Sequence, residues 1–208
     1  MKKDCVLYVH GKGGSANESA HYMSFFPEAD VLGLEYRSDI PWEAREGIRT
    51  AVKDLKKTYE TLTLIANSVG AYFCLCAGID AHVRKAYFIS PVVDMERLIR
   101  ERMAGANVTE ERLRAEGVIP TPFGEPLSWA YLSYVLAHPI RWNAPSCVLY
   151  GENDALISRE AVEAFAKTHA AVLTVMPGGE HWFHTQGQMR FLDAWIRTSE
   201  TKENGGSL

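Results

Sequence analysis

Short, apolar, β-rich runs alternate with longer helical patterns along nearly the whole chain, and no other feature limits the fold so tightly. The runs fall at residues 5–9, 30–36, 62–67, 85–90, 146–151 and 171–176. Amphipathic stretches separate them near 19–26, 42–58, 69–79 and 159–169, and a last one closes the chain at 183–197. Runs such as Val6-Leu7-Tyr8-Val9 and Cys147-Val148-Leu149-Tyr150 are apolar at every position, as strands buried on both faces require. Strands of that kind alternating with helices predict an α/β chain: a doubly wound, mainly parallel six-stranded sheet with helices on both faces.

One segment breaks the alternation. Residues 94–139 carry no strand signal, read as helical at 95–104 and 109–117, and include a Pro-rich aromatic stretch at 120–134. That length far exceeds an ordinary connection, so the segment is expected to be a helical cap inserted in a single domain spanning residues 1–208. The end, 203–208, reads as a disordered tail.

The strand at 62–67 runs into Ala66-Asn67-Ser68-Val69-Gly70, and a helical pattern follows at once. A serine held at a sharp strand-to-helix turn needs small residues two positions to either side, because the backbone there is crowded. Ala66 and Gly70 meet that need. The turn also sets the Ser68 hydroxyl at a helix N-terminus, where unsatisfied N–H groups favour developing negative charge. Taken alone, the same residues also read as an ordinary serine N-cap.

Three further strand ends carry polar residues. The first strand ends in His10-Gly11-Lys12-Gly13-Gly14-Ser15, a turn whose backbone can approach a bound carbonyl oxygen. The N–H groups of Lys12 and Val69 are placed to converge on a tetrahedral oxyanion. A phosphate loop would need a four-residue gap followed by Gly-Lys-Ser/Thr, which this turn lacks; a plain tight turn stays open as a reading. His10 is expected to order the turn. Asp154 follows the strand at 146–151 in Gly151-Glu152-Asn153-Asp154, and His181 follows the last strand in Pro177-Gly178-Gly179-Glu180-His181. Both therefore stand at carboxyl ends of strands, the edge where ligands collect in open α/β sheets. A serine hydroxyl is a weak nucleophile near neutrality, so it needs an imidazole in reach, and the imidazole needs a carboxylate to fix its tautomer. Ser68 is thus the candidate nucleophile, His181 the base and Asp154 the acid. Asp94 and His184 are the rivals for the last two roles.

With these pieces in place, the chain resembles the α/β-hydrolase superfamily, particularly its small bacterial serine hydrolases. The likeness rests on the motifs at His10–Gly14, Ala66–Gly70, Gly151–Asp154 and Gly178–His181. It implies a sheet that starts at the family's third strand and a helical cap between the family's sixth and seventh. The implied activity is cleavage of a small carboxylic ester through an acyl-enzyme, with thioester or amide hydrolysis as near relatives. A non-catalytic ligand-binding protein and a lyase on the same scaffold are the alternatives from other classes. Within the cap, Phe123 and Trp129 are expected to contact substrate, as are His10 and Gly11, and the aromatic residues together predict an apolar pocket with a graded preference.

Composition enters through what it excludes. A formal net charge of −4 gives no concentrated basic surface for nucleic acid or an anionic membrane. No run approaches the roughly 20 apolar residues that span a bilayer, and the apolar stretch after Lys2-Lys3 is too short for a signal peptide. The four cysteines sit in apolar runs without metal-like spacing, so reduced thiols in a cytoplasmic protein are expected. No cofactor is implied, the expected ligand is a small molecule, and the oligomeric state is not legible.

Overall fold

The computed structural model describes residues 2–37, 40–122 and 124–204. Six strands form one parallel sheet: β1 (Lys2–Val9), β2 (Asp30–Leu34), β3 (Tyr59–Asn67), β4 (Lys85–Ile89), β7 (Ser146–Gly151) and β8 (Val172–Met176). Their spatial order is β2-β1-β3-β4-β7-β8. The expected doubly wound α/β architecture holds. The chain leaves β1 for one side to form β2, then returns to the other side to form β3. That reversal opens a crevice at the carboxyl ends of β1 and β3.

Side chains alternate across the sheet, so each inner strand feeds two cores. Cys5, Leu7 and Val9 of β1 and Leu62, Leu64 and Ala66 of β3 face one core, while Val6, Tyr8 and Ile65 face the other. The first core is covered by α1 (Pro41–Thr58), α2 (Ser68–Cys76) and α6 (Arg159–Thr168). The second is covered by a 3₁₀ helix (Ala16–Phe25) and α7 (Gln186–Asn204). Helix α1 shows how sequence makes an element: Pro41 opens it, Ala44, Ile48 and Val52 recur every four residues on its buried face, and Lys56 and Lys57 meet the negative end of its dipole.

Between β4 and β7 the chain forms α3 (Met95–Gly105), α4 (Glu110–Glu116), a short antiparallel pair of β5 (Val118–Ile119) with β6 (Leu127–Ser128), and α5 (Trp129–Ala137). Two features here differ from the sequence reading. Strands of two residues show no periodicity, so β5 and β6 were illegible. Helix α5 lies in the stretch read only as Pro-rich and aromatic; it is started by Ser128, whose hydroxyl accepts from the Tyr131 N–H at 3.3 Å. Helix α7 also runs to Asn204, into the expected tail; residues 205–208 lie outside the described residues. No helix of the described residues is long and apolar enough to cross a membrane.

Candidate active site

Asn67 ends β3 in extended geometry, and Ser68 turns the chain into α2 with φ +51. A non-glycine residue in this left-handed region costs on the order of 1–3 kcal/mol and persists only where its surroundings impose it. Backbone packing imposes it here. A Cβ on Gly70 would lie 2.2 Å from the carbonyl oxygen of His10, and one on Gly11 would lie 3.1 Å from Ser68 Cβ. The turn after β1 and the turn after β3 therefore touch backbone to backbone, which only glycine permits. Ala66, fully buried between β1 and β4, leaves the same room on the strand side.

The Ser68 hydroxyl donates to His181 Nε2 at 2.8 Å, and His181 Nδ1–H donates to Asp154 Oδ2 at 2.7 Å. A carboxylate can only accept, so this contact assigns the proton to Nδ1 and leaves Nε2 as an acceptor. The other carboxylate oxygen, Oδ1, accepts from the N–H groups of Leu156 at 2.8 Å and Ile157 at 3.0 Å. The Asp154 side chain is fully shielded from solvent, whereas His181 keeps 21% of its side chain exposed.

The loops carrying Asp154 and His181 are stitched together. Asn153 N–H donates to Gly179 O at 2.7 Å, Glu152 N–H to Met176 O at 3.0 Å, and Gly178 N–H to the Glu152 carboxylate at 2.9 Å. A Cβ on Gly151 would lie 2.5 Å from Glu180 O. The glycines flanking Asp154 and His181 thus set the separation of the two side chains.

The rivals are bound to other partners. Asp94 caps α3 by accepting from Arg97 N–H at 3.0 Å. His184 donates from Nδ1 to Trp182 O at 2.7 Å and stacks on the Trp182 ring with centroids 4.4 Å apart. Burial pushes the Cys5 thiol up to about 12 and that of Cys76 up to about 11, so neither supplies a thiolate near neutrality.

The glycine turn closes through Gly14 N–H to Gly11 O at 3.2 Å, with Gly13 at φ +74. His10 Nδ1–H donates to Gly11 O at 2.7 Å, and the Tyr36 hydroxyl donates to His10 O at 2.6 Å. Val69 lies in the first turn of α2, where N–H groups lack an intrahelical acceptor. The Lys12 side chain meets Glu125, between β5 and β6, and Glu125 also takes Arg102 of α3. Lys12 therefore ties this turn to the segment above it.

Sequence reasoning missed a set of residues that brace the turn. Glu18 accepts from Ser15 N–H at 3.1 Å and from the Tyr8 hydroxyl at 2.5 Å, and its carboxylate lies against Gly14. Ser15 and Glu18 form a capping box, and the spacing Ser-x-x-Glu was there to be read. Of the expected substrate contacts, His10 and Gly11 stand beside Ser68. Trp129 packs under the Arg114 guanidinium at 5.7 Å, its backbone N–H donates to Gly117 O at 2.8 Å, and its side chain packs against the first core. Phe123 lies outside the described residues.

No family model and no curated protein matches the chain. Solved structures do. Est1E from Butyrivibrio proteoclasticus, with ferulic acid bound, superposes with a TM-score of 0.77 at 17% identity, over 96% of this chain and 88% of that one. Alpha/beta hydrolase domain-containing protein 10 from mouse gives 0.72 at 16%, over 95% and 90%. E-2-(acetamidomethylene)succinate hydrolase gives 0.62 at 16%, over 93% and 90%. At such identities the likeness establishes the fold.

Proposed function

We propose that this chain, whose fold is that of the α/β-hydrolases, is a serine hydrolase cleaving a small carboxylic ester. The observation that carries this reading is the hydrogen-bonded line Ser68–His181–Asp154, with its serine held in left-handed geometry at a helix N-terminus. Ser68 Oγ attacks the ester carbonyl while His181 Nε2 takes its proton, and Asp154 stabilises the imidazolium. The N–H groups of Lys12 and Val69 receive the oxyanion. Collapse breaks the bond to the leaving alkoxide, which takes the proton back from His181. Water then attacks the acyl-enzyme, giving its proton to His181, and the carboxylic acid leaves as Ser68 is reprotonated. Thioesters and amides run through the same steps. A carboxylic acyl substrate is favoured because a neighbour of this fold binds ferulic acid, a free carboxylic acid of the kind such hydrolysis releases. We place the enzyme in the cytoplasm, acting on a small-molecule substrate without nucleic acid or membrane; its four cysteines, none in a disulfide, suit a reducing compartment.

Labelling with a fluorophosphonate tests the reading. The adduct is expected on Ser68 and abolished in Ser68→Ala, with turnover of p-nitrophenyl esters lost in the same variant. An adduct elsewhere, or none, overturns it.

A further inference from the structure

We propose that Tyr150 is a positioning residue for the reaction: its hydroxyl, acting through the backbone of Ile157, holds the Asp154 carboxylate on His181. The inference rests on the proposed hydrolase function and adds a residue to the machinery of that site.

Tyr150 stands one residue before the end of β7, at 2% exposure, in the same apolar core as Val148 of β7 and Phe88 of β4. For packing alone, a phenylalanine would serve there as well. A hydroxyl taken out of water into such a place is unfavourable unless it finds a partner. This one has a partner, and only one is recorded for it: Tyr150 Oη–H donates to the carbonyl oxygen of Ile157 at 2.8 Å. A phenol keeps its proton near neutrality, so the tyrosine is the donor and the carbonyl the acceptor.

That bond closes a loop around the acid. At the near end, Asp154 N–H donates to Gly151 O at 3.0 Å. At the far end, Ile157 gives its N–H to Asp154 Oδ1 at 3.0 Å and takes the Tyr150 hydroxyl on its carbonyl. Leu156 N–H, at 2.8 Å, is the second donor to Oδ1. With Oδ1 anchored by these two groups, Oδ2 is left to accept from His181 Nδ1–H at 2.7 Å. A line of three hydrogen bonds thus runs from the phenol through Ile157 and Asp154 to the imidazole.

The loop needs such a hold because packing supports it on one side only. The Ile157 side chain is buried in the core, which fixes where the residue sits and leaves its peptide groups free to turn. On the outer side a cleft of about 210 Å³ separates the loop from α3, with Leu156, Ile157 and Ser158 on one wall and Asp94, Arg97 and Leu98 on the other. Arg97 crosses that cleft to Ser158 Oγ at 2.7 Å, but its side chain is half exposed, and water readily replaces such a bond. The inner bond to Tyr150 is shielded from water and bears on the residue that touches the carboxylate.

Tyr150→Phe removes the hydroxyl and keeps the ring. It is expected to lower kcat on p-nitrophenyl esters about tenfold with KM within about twofold, because a displaced acid weakens stabilisation of the imidazolium formed in the transition state. In an Asp154→Asn background the same change is expected to move kcat by less than about twofold, since its effect runs through the carboxylate. Leu132→Ala, a destabilising change on α5, separates stability from position: its melting temperature is expected to fall at least as far while kcat stays within about twofold. The low-field NMR signal of His181 Nδ1–H, read without substrate, is expected to shift in Tyr150→Phe and to keep its place in Leu132→Ala. Wild-type kcat in Tyr150→Phe, an undiminished further loss in the Asp154→Asn background, or an unmoved proton signal overturns the proposal. A protein that labels at Ser68 and ignores Tyr150→Phe loses only this inference; one that never labels at Ser68 loses the hydrolase reading, and the proton signal still reports on Tyr150.

Discussion

Asp154 and Asp94 both follow parallel strands, and their hydrogen bonds separate them. Asp94 spends its carboxylate on a helix N-cap, whereas Asp154 holds two backbone N–H groups on one oxygen and His181 on the other. Asp154→Asn is therefore expected to cut kcat by about four orders of magnitude, because an amide there stabilises the wrong imidazole tautomer. Asp94→Asn is expected to leave kcat within a few-fold and, because Asn caps nearly as well, stability within about 1 kcal/mol. Steady-state kinetics on the pair decides it: a crippled Asp94→Asn with an active Asp154→Asn reverses the assignment. Gly70 is constrained as tightly as Asp154. Gly70→Ala drives a methyl group into the His10 carbonyl and is expected to cost at least about 1–3 kcal/mol, read as a lowered melting temperature.

At the scale of elements, the turn proposed to receive the oxyanion depends on a brace that takes no part in the proposed reaction. Glu18 gathers Ser15 N–H, the buried Tyr8 hydroxyl and the backbone at Gly14, so it braces the turn that carries Lys12. Losing an oxyanion donor outright costs about 10²–10³ in kcat. Glu18→Ala would only loosen the turn that carries the proposed donor, Lys12 N–H, and is expected to lower kcat about tenfold with a smaller change in KM. Glu18→Gln, which keeps one acceptor oxygen, is expected to recover part of that loss; wild-type kcat in Glu18→Ala would show that the turn holds its shape unaided. Legibility in the sequence followed the same division. Strands such as 146–151 announced themselves by apolar runs bounded by turns, and Ser68, Asp154 and His181 could be named because each lies just past such a strand. The residues around them were harder to read. Tyr36 looks like a core aromatic in one dimension, since the bond its hydroxyl gives to the His10 carbonyl joins neighbours distant in sequence. Trp129 drew attention for its size, yet size does not say which way a side chain in an irregular segment faces.

For the molecule as a whole, the question is whether the insertion between β4 and β7 is a lid or part of the core. Its buried side chains, Ile99, Leu113, Leu127 and Leu132 among them, belong to the same apolar cluster as Leu64 of β3 and Phe88 of β4. A lid that opens as a unit would bury its apolar residues among themselves; here sheet, α2 and insertion share one interior. The ion group of Lys12, Glu125 and Arg102 adds a polar tie. Exposed pairs of this kind contribute little, about 0–1 kcal/mol, so the apolar continuity decides. Unfolding is then expected to be one cooperative transition, with near-UV and far-UV circular dichroism coinciding in urea. Leu132→Ala, at a fully buried site on α5, is expected to lower the stability of the entire protein by about 2–5 kcal/mol while the transition stays single. A first transition that Leu132→Ala shifts and a second that it leaves in place would instead make the insertion a separate unit resting on the sheet.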